Sequence, residues 1–306
     1  MSNTVLNSSD LEQFMSRGYV RVRGCFSRAM AHDLTTRACE RLHCSLSDPS
    51  TWPSGRMRPP ESQRVSFESI APKAWQAACE LVGGAERVAQ PSTWGDGFII
   101  NFGRQTEHPW EPPAPPQPSW ALWHKDGDFF RHFLDSPEQG LLVIATFSDI
   151  EPRGGATYIA CDSVGHVARY LAERPEGALP SELRDPVKNM VDRCSDFVET
   201  TGEIGDVYLL HPFMVHSHSL NASNSARFII NPPVKLAQPM QFARASASEH
   251  SPVERTVLRA LGVERYEFVP TRPRETVVPE RLAREKAIWE ERARLAALTA
   301  SNAPSA

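Results

Sequence analysis

The segment Trp123-His124-Lys125-Asp126-Gly127-Asp128 contains a histidine and an aspartate two positions apart. Side chains of a β-strand alternate between its two faces, so His124 and Asp126 would lie on the same face if this segment is a strand. An imidazole and a carboxylate side by side can bind one metal ion. The pattern His-x-Asp is short enough to occur by chance, and a hydrogen-bonded pair in the core is the alternative interpretation.

A second histidine-rich stretch, Leu210-His211-Pro212-Phe213-Met214-Val215-His216-Ser217-His218, contains candidates for a third ligand. His211, His216 and His218 are spaced so that a strand would not present all three alike. Two histidines and one carboxylate on one side of a metal, with open positions opposite, form the ligand set of non-haem Fe(II) oxygenases. Arg227 begins an apolar segment shortly afterwards, and a guanidinium can bind a carboxylate through two parallel hydrogen bonds.

The overall composition is typical of a globular protein, with 306 residues, 41% hydrophobic and 23% charged. A formal net charge of −4 argues against nucleic acid as a partner. No apolar run approaches the roughly 18 residues of a transmembrane helix, and residues 1–5 lack the basic and apolar regions of a signal peptide. The six cysteines contain no Cys-x-x-Cys pair. We therefore expect free thiols, a cytoplasmic location and no membrane partner.

Short strands separated by turn residues dominate the middle of the sequence, which favours a sandwich or barrel over βαβ units. Helical patterns collect mainly at the two ends. We predict a single domain over residues 1–306, mainly β with flanking helices. Its parts are an N-terminal helical scaffold at 8–90, a β core at about 95–235 and a C-terminal helical extension at 250–299. Predicted strands are 19–23, 97–102, the segment with His124 and Asp126, 141–147, 156–160, 197–201, 207–210 and 227–231; predicted helices are 9–15, 27–44, 73–82, 164–172, 252–261 and 280–298.

Three segments are predicted to be irregular. Residues 46–72 are rich in serine, proline and arginine, and a polar loop is expected after residue 172. The proline-rich segment 109–118 cannot form a helix or a central strand, because proline has no amide hydrogen to donate. This segment precedes His124 and is interpreted either as a lid over the site or as a simple connector. The helix at 280–298 either docks on the core or forms a homodimer.

The chain resembles the phytanoyl-CoA dioxygenase-like family of Fe(II)/2-oxoglutarate oxygenases. The resemblance rests on His124-Lys125-Asp126, on the block from Gly205-Asp206 to His216, and on Arg227. It covers most of the sequence, about residues 10–235. Further matching segments are Phe14-Met15-Ser16-Arg17-Gly18-Tyr19-Val20, Gly154-Gly155-Ala156-Thr157 and Ser163-Val164-Gly165-His166.

This resemblance implies a double-stranded β-helix, a cupin-like jelly roll with the metal between its two sheets. It implies that His124, Asp126 and His216 are the Fe(II) ligands and the catalytic centre. Arg227 would bind the distal carboxylate of 2-oxoglutarate, the cosubstrate. The implied reaction uses O2 to oxidise a small organic molecule, most simply by hydroxylation, and releases succinate and CO2. Thr157 and Asn101 are on strands that often help to hold 2-oxoglutarate in the family, and ordinary strand packing is the alternative for both.

The family pattern favours His216 as the third ligand, because the ligand is the twelfth residue counted from Gly205 and precedes the arginine by eleven. His211 is the second choice and would otherwise form a hydrogen bond near the site. Related halogenases have a small residue where this chain has Asp126, so that a halide can bind the iron. The carboxylate therefore favours hydroxylation, desaturation or another outcome of hydrogen abstraction.

The sequence departs from the family at two positions. His218 stands where relatives often have serine, and Ala121 stands where many have glutamine, three positions before the first histidine ligand. Substrate contacts are expected from variable loops, since the family acts on diverse small molecules. The candidate regions are 46–72, 104–119, 129–139 and 236–250, with Trp120, Trp123 and the run Asp128-Phe129-Phe130-Arg131-His132.

Two other functional classes compete with the oxygenase. A metal-binding protein of cupin type, or a catalytically inactive protein with the same fold, would explain the ligands without a reaction. Arg227 discriminates against a cupin without cosubstrate, which has no need of that cation. An oxygenase that modifies proteins would need an open, peptide-matching groove, and nothing in the sequence indicates one.

Overall fold

Two antiparallel β-sheets form the centre of the molecule, and helices pack around them. The computed structural model describes residues 4–103, 109–279, 282, 286–291 and 294. The strands, in chain order, are β1 (Tyr19–Val22), β2 (Arg56–Met57), β3 (Arg64–Ser66), β4 (Thr93–Gly95), β5 (Ile99–Asn101), β6 (His124–Lys125), β7 (Leu141–Thr146), β8 (Thr157–Ala160), β9 (Phe197–Glu199), β10 (Val207–Leu210), β11 (Val215–His218), β12 (Arg227–Ile230) and β13 (Pro233–Val234).

The order of the strands is that of a jelly roll. The larger sheet runs β1-β10-β7-β12-β5-β2, with β13 also paired to β7, and the smaller sheet runs β6-β11-β8-β9. Of the consecutive strands β5 to β12, strands β5, β7, β10 and β12 are therefore in the larger sheet, and β6, β8, β9 and β11 are in the smaller one. This alternation between two sheets is the double-stranded β-helix of cupin-like proteins. The predicted fold class is confirmed.

The larger sheet is buried on both faces at its centre. Every residue of β7 and β10 is buried, and these strands are almost continuously apolar, as expected for strands covered on both sides. Phe98 packs edge to face against Phe147 and Phe228, with ring centroids 5.0 and 5.7 Å away. The rigid sheet fixes the residues at its strand ends, which include Arg227.

The helices flank the sheets and begin and end at residues that match their sequence signals. Gly18 ends the helix Ser8–Arg17 and Gly262 ends the helix Pro252–Leu261, both in the left-handed conformation with φ of 71°. Ser251 and Glu254 form the capping box of the helix Pro252–Leu261. The helices are α1 (Ser8–Arg17), α2 (Arg28–Arg41), α3 (Phe67–Ile70), α4 (Pro72–Val82), α5 (Ser163–Ala172), α6 (Pro180–Val191) and α7 (Pro252–Leu261).

The prediction of irregular structure was wrong in two segments. Residues 46–72 contain β2, β3 and α3, and β2 exists because Arg56 and Met57 pair with Asn101 and Ile100 of β5. Such pairing depends on a distant strand and leaves little trace in the local sequence. The polar loop expected after residue 172 contains α6, whose internal Pro186 normally disfavours a helix.

Two expectations from the sequence concern the cysteines and membrane-spanning helices. The cysteines are all free, as predicted. Among the described residues, no helix is long and apolar enough to cross a membrane.

The predicted C-terminal helix at 280–298, and the homodimer that it would form, lie largely outside the described residues. The indole Nε1 of Trp289 donates a 3.1 Å hydrogen bond to the backbone oxygen of Arg58, so part of this segment lies against β2.

Candidate metal centre

Two histidines from neighbouring strands lie directly opposite each other in the smaller sheet. His124 of β6 and His216 of β11 are partners in the antiparallel register. Side chains of directly opposed residues project from the same face of a sheet, and here the two imidazole centroids are 4.3 Å apart. A pair of residues 92 positions apart in the chain thus forms one side of a candidate site.

Asp126 completes a three-residue cluster. Its Oδ1 lies 3.3 Å from Nε2 of His124 and 3.5 Å from Nε2 of His216. Ligands at about 2.1 Å from one ion are about 3 Å apart at right angles and about 4.2 Å apart when opposite, so these distances fit a common ion. Among the described residues this is the one group of three histidine, cysteine or carboxylate side chains that could hold a metal ion.

Hydrogen bonds orient each member of the cluster toward the same point. Nδ1 of His124 lies 2.8 Å from the backbone oxygen of Leu122, and Nδ1 of His216 lies 3.2 Å from that of Met214. Both Nδ1 atoms therefore donate to carbonyls, which leaves the Nε2 lone pairs for a metal. Asn231 donates a 3.1 Å hydrogen bond to Oδ2 of Asp126, so that Oδ1 stays available. Sequence reasoning missed Asn231, whose asparagine side chain alone carries no signal of this contact.

The charge state of the cluster suits a cation. Burial by itself would raise the pKa of Asp126, but His216 and His124 hold it well below its ordinary value through their charges and hydrogen bonds. Burial lowers the pKa of His124, and the hydrogen bond and charge of Asp126 outweigh that effect and raise it. An ionised carboxylate and two imidazoles together form the donor set of a facial triad, which leaves the remaining positions of the metal open.

The turn after Asp126 requires glycine. Gly127 has φ of 109°, and a Cβ at this position would lie 2.5 Å from Phe130 and 2.7 Å from His132. Lys125 points to the opposite face of β6, where its Nζ lies 2.8 Å from Nδ1 of His132 and 3.1 Å from the backbone oxygen of Asp126. Burial lowers the pKa of Lys125 to about 7 and the pKa of His132 well below its usual value, so the imidazole accepts from the ammonium group.

Arg227 is a buried cation in the larger sheet. It is 2% exposed, and its Nε and Nη1 atoms bond to no described residue. Burial, followed by the charges of Arg56 and Arg58, lowers its pKa to about 9. An unpaired buried charge costs several kcal/mol, so such an arrangement is favourable only when an anion binds it.

The larger sheet brings two more arginines near this cation. Arg56 of β2 and Arg227 of β12 both lie opposite Asn101 of β5, on its two sides. The charge of Arg58 acts on Arg227 and on His124. The sequence analysis predicted residues 46–72 to be irregular and to be one region for substrate contacts, and it did not single out Arg56 or Arg58.

His218 lies between the cluster and the arginines. Burial lowers its pKa to about 3, and the charges of Arg56, Arg227 and His124 act in the same direction, so the ring is neutral. It is two residues after His216 and pairs with Thr157 across the smaller sheet, which places both on the face that carries the candidate ligands.

Asn101 is placed beside Arg227, and its side chain also has structural contacts. Its Nδ2 donates a 3.1 Å hydrogen bond to the backbone oxygen of Ser219, and its backbone oxygen accepts one of 2.9 Å from Asn221. A Cβ on Gly155 would lie 2.5 Å from the Asn101 amide nitrogen, so this contact needs glycine. The structure thus places Asn101 beside Arg227 and Thr157 beside His218, and their contact with a cosubstrate stays a prediction.

Several residues that the sequence analysis named as candidates for the site lie outside the three-residue cluster. His211 is fully buried, with Nδ1 accepting a 3.1 Å hydrogen bond from the Phe213 amide, and it is not part of the three-residue cluster. Arg131 and His132 were expected near substrate, and both are buried outside the cluster. Arg131 pairs with Glu275 at 2.7 Å, and His132 contacts Lys125 behind β6. The turn at Gly127 directs the chain away from the cluster, so these two side chains do not join it although they closely follow Asp126 in sequence, and their contact with a substrate stays a prediction.

The opening of the site is on the side of His124. The side chain of His124 is 51% exposed, against 6% for His216, and neighbouring Leu122 is 56% exposed. The ring of Trp120 lies 5.8 Å from the ring of His218. Within the proline-rich segment, the backbone oxygen of Pro113 accepts a 2.8 Å hydrogen bond from Trp123, so this segment is tied to the strand that carries His124.

Two cavities lie away from this cluster. One of about 320 Å³ is lined by residues around Arg244, Glu254 and the 236–241 segment, and one of about 420 Å³ lies beside α2. Neither is lined by a member of the cluster or by Arg227.

Comparisons with known proteins give low similarities. No protein-family model matches the sequence, and no curated protein is similar to it in sequence. Identities of 14–18% and TM-scores below 0.5 assign neither a family nor a reaction to this chain. Similar solved structures include the non-heme alpha-ketoglutarate-dependent carbocyclase SnoK from nogalamycin biosynthesis (18% identity, TM-score 0.45, covering 74% of this chain and 84% of that one), EctD from S. alaskensis with 2-oxoglutarate and 5-hydroxyectoine (16%, 0.42, 75% and 76%), and the epimerase SnoN with Fe3+, alpha-ketoglutarate and nogalamycin RO (14%, 0.43, 73% and 80%).

Proposed function

We propose that this chain is an Fe(II)/2-oxoglutarate-dependent dioxygenase that hydroxylates a small organic molecule, with release of succinate and CO2. The observation that carries the proposal is the combination of two features in one site. A two-histidine, one-carboxylate cluster with open positions lies in the same jelly roll as Arg227, a buried arginine whose Nε and Nη1 have no partner among the described residues. The first feature fits a metal, and the second fits the distal carboxylate of a dicarboxylate cosubstrate.

Different residues of the site would bind the metal and the cosubstrate. His124, Asp126 and His216 would hold Fe(II), with the Nδ1 bonds and Asn231 keeping their donor atoms aimed at one point. Bound Fe(II) and 2-oxoglutarate would supply the oxidising chemistry with O2. Arg227 would bind the distal carboxylate in a fork-to-fork pair and so fix the orientation of the cosubstrate.

The surroundings of the cluster support oxidation of a bound organic molecule. His218 is neutral, so it can contact a cosubstrate or substrate without adding another charge. The exposed side of His124 and the apolar Leu122 mark where a substrate would approach. The carboxylate of Asp126 leaves no position for a halide in its place, which favours hydroxylation over halogenation.

The test is a coupled measurement of 2-oxoglutarate and O2 consumption by Fe(II)-loaded protein. Succinate formation that depends on both O2 and Fe(II), even slowly and without the native substrate, is the expected result. The His216→Ala variant serves as the matched control. Wild-type protein that binds Fe(II) but neither binds 2-oxoglutarate nor forms succinate would instead support a cupin-type or catalytically inactive protein.

A further inference from the structure

We propose that Arg56 and Arg58 bind an anionic group of the substrate, a carboxylate or a phosphate, beside the metal centre. The inference deepens the proposed function and rests on it. It adds a chemical class of substrate and names the residues that select it.

The first support is the register of the larger sheet. Arg56 and Arg227 are both paired with Asn101, one on each side, so these three residues form a row across β2, β5 and β12. Directly opposed residues of antiparallel strands project from the same face of the sheet. Arg56 is therefore on the face from which Arg227 points, and Arg58, two residues further on, shares this face where the chain continues extended.

The second support is proximity to the candidate metal centre. Asn101, the middle residue of this row, donates a 3.1 Å hydrogen bond to the backbone oxygen of Ser219, which directly follows β11, the strand that carries His216. The row of Arg56, Asn101 and Arg227 therefore lies against the end of that strand. β2 is an edge strand of the larger sheet, and both arginines are exposed. A molecule can therefore reach them from solvent.

The third support is the charge balance. No carboxylate among the described residues lies within ion-pair distance of Arg56, Arg58 or Arg227. The proposed cosubstrate has one distal carboxylate, and a single guanidinium is enough to bind it through two hydrogen bonds. Two cations then remain beside the site, and each lowers the pKa of Arg227 further after the effect of burial. A second anion, brought by the substrate, would relieve this repulsion.

The remaining surface indicates that the anion is attached to an apolar body. Leu122 is 56% exposed near His124, and the ring of Trp120 lies 5.8 Å from the ring of His218 in a tilted contact. An organic acid or organic phosphate would place its charged group on Arg56 and Arg58 and its apolar part over Leu122. The bond to be oxidised would then lie near the exposed side of His124.

The experiment uses three probes of the same chain length: octanoate, octyl phosphate and the neutral octanamide. Each is titrated calorimetrically into anaerobic Fe(II)-loaded protein with saturating 2-oxoglutarate, and also into metal-free protein. The variants are Arg56→Gln/Arg58→Gln, its charge-retaining counterpart Arg56→Lys/Arg58→Lys, and a control with the same loss of charge on exposed helices. That control is Arg37→Gln/Arg259→Gln, whose side chains are 54% and 55% exposed.

We expect wild type to bind the two anions more tightly than octanamide. The double glutamine variant should bind them at least about 10-fold more weakly, because hydrogen bonds to charged groups are lost, while its affinity for 2-oxoglutarate changes by less than about threefold. The lysine variant should bind with intermediate affinity, since it keeps the charge without the fork. The larger loss, for octanoate or for octyl phosphate, identifies the anion. Circular dichroism verifies that each variant is folded.

Three results would overturn this inference: anion affinity equal in the glutamine variant and the control, wild type that binds octanamide as well as the anions, or loss of 2-oxoglutarate binding in the glutamine variant. The last result would assign both arginines to the cosubstrate. A wild type that binds no 2-oxoglutarate refutes the proposed function instead, and the titrations of metal-free protein then decide whether the anion site exists.

Discussion

Replacement of Arg227 by methionine separates binding of a cosubstrate from stability of the fold. Arg227 is 2% exposed, and its Nε and Nη1 atoms have no partner among the described residues. Methionine replaces the apolar stem of arginine, ends two atoms earlier and carries no charge. The variant should therefore lose the anion site while it keeps the packing of the β12 side chains.

The magnitude follows from the two hydrogen bonds that a bidentate carboxylate would form. Each charge-assisted bond contributes about 1.5–3 kcal/mol, so two contribute about 3–6 kcal/mol. At about 1.4 kcal/mol per factor of ten, the affinity for 2-oxoglutarate should fall by about 10² to 10⁴. Fe(II) affinity should stay within a few-fold of wild type, because Arg227 is not among the candidate ligands.

Replacing Arg227 should not lower the stability of the fold, whereas replacing a buried arginine that has a partner does. Removing an unpaired buried charge removes a desolvation cost, so the melting temperature of the cosubstrate-free Arg227→Met variant should be equal to or above that of wild type. Arg21→Met is the matched contrast, because Arg21 pairs with Asp206, which is 4% exposed. Its loss should cost about 2 kcal/mol.

The assay combines calorimetric titration of 2-oxoglutarate, metal analysis and thermal unfolding for wild type and both variants. Wild-type affinity for 2-oxoglutarate in Arg227→Met would refute the assignment of the cosubstrate carboxylate. A drop in melting temperature as large as that of Arg21→Met would show that Arg227 has a structural partner instead.

Three further outcomes test the site and the scaffold. His216→Ala should reduce Fe(II) binding below detection in a metal titration, whereas the exposed His32→Ala control should bind as wild type does. Asn231→Ala should weaken Fe(II) binding by about 10- to 100-fold, because Oδ2 of Asp126 loses its hydrogen-bond donor; unchanged affinity would exclude this orienting role. Burial raises the pKa of Glu254, but hydrogen bonds from Arg244 and backbone amides outweigh it and lower the pKa below 4.5. Its stabilisation is thus present above about pH 4.5 and lost as the pH falls through the lower folded value. Glu254→Gln should lower the unfolding free energy by about 3 kcal/mol at neutral pH. In urea unfolding at a series of pH values, the variant should also lose less stability than wild type as the pH falls below about 4.5, and an equal loss in both proteins would contradict this.

Local patterns predicted many elements well. The apolar run of β7 and the capping box of α7 are complete signals within a few residues, and both elements lie where they were predicted. The missed elements lack such signals. β2 depends on pairing with β5, and α6 contains Pro186.

The sequence by itself brought His124 and Asp126 together as candidate ligands, because residues two positions apart are always near neighbours. β6 ends at Lys125, so the expected strand period does not extend to Asp126, although its Oδ1 lies 3.3 Å from Nε2 of His124. It also supplied Arg227 and the candidate His216 through their spacing in a family pattern. Only the tertiary structure decided that His216 lies opposite His124, that Asn231 orients Asp126, and that Arg56 lies in a row with Arg227. Each of these contacts joins segments far apart in the chain. Their geometry depends on sheet register, which backbone pairing and burial of the whole core set together.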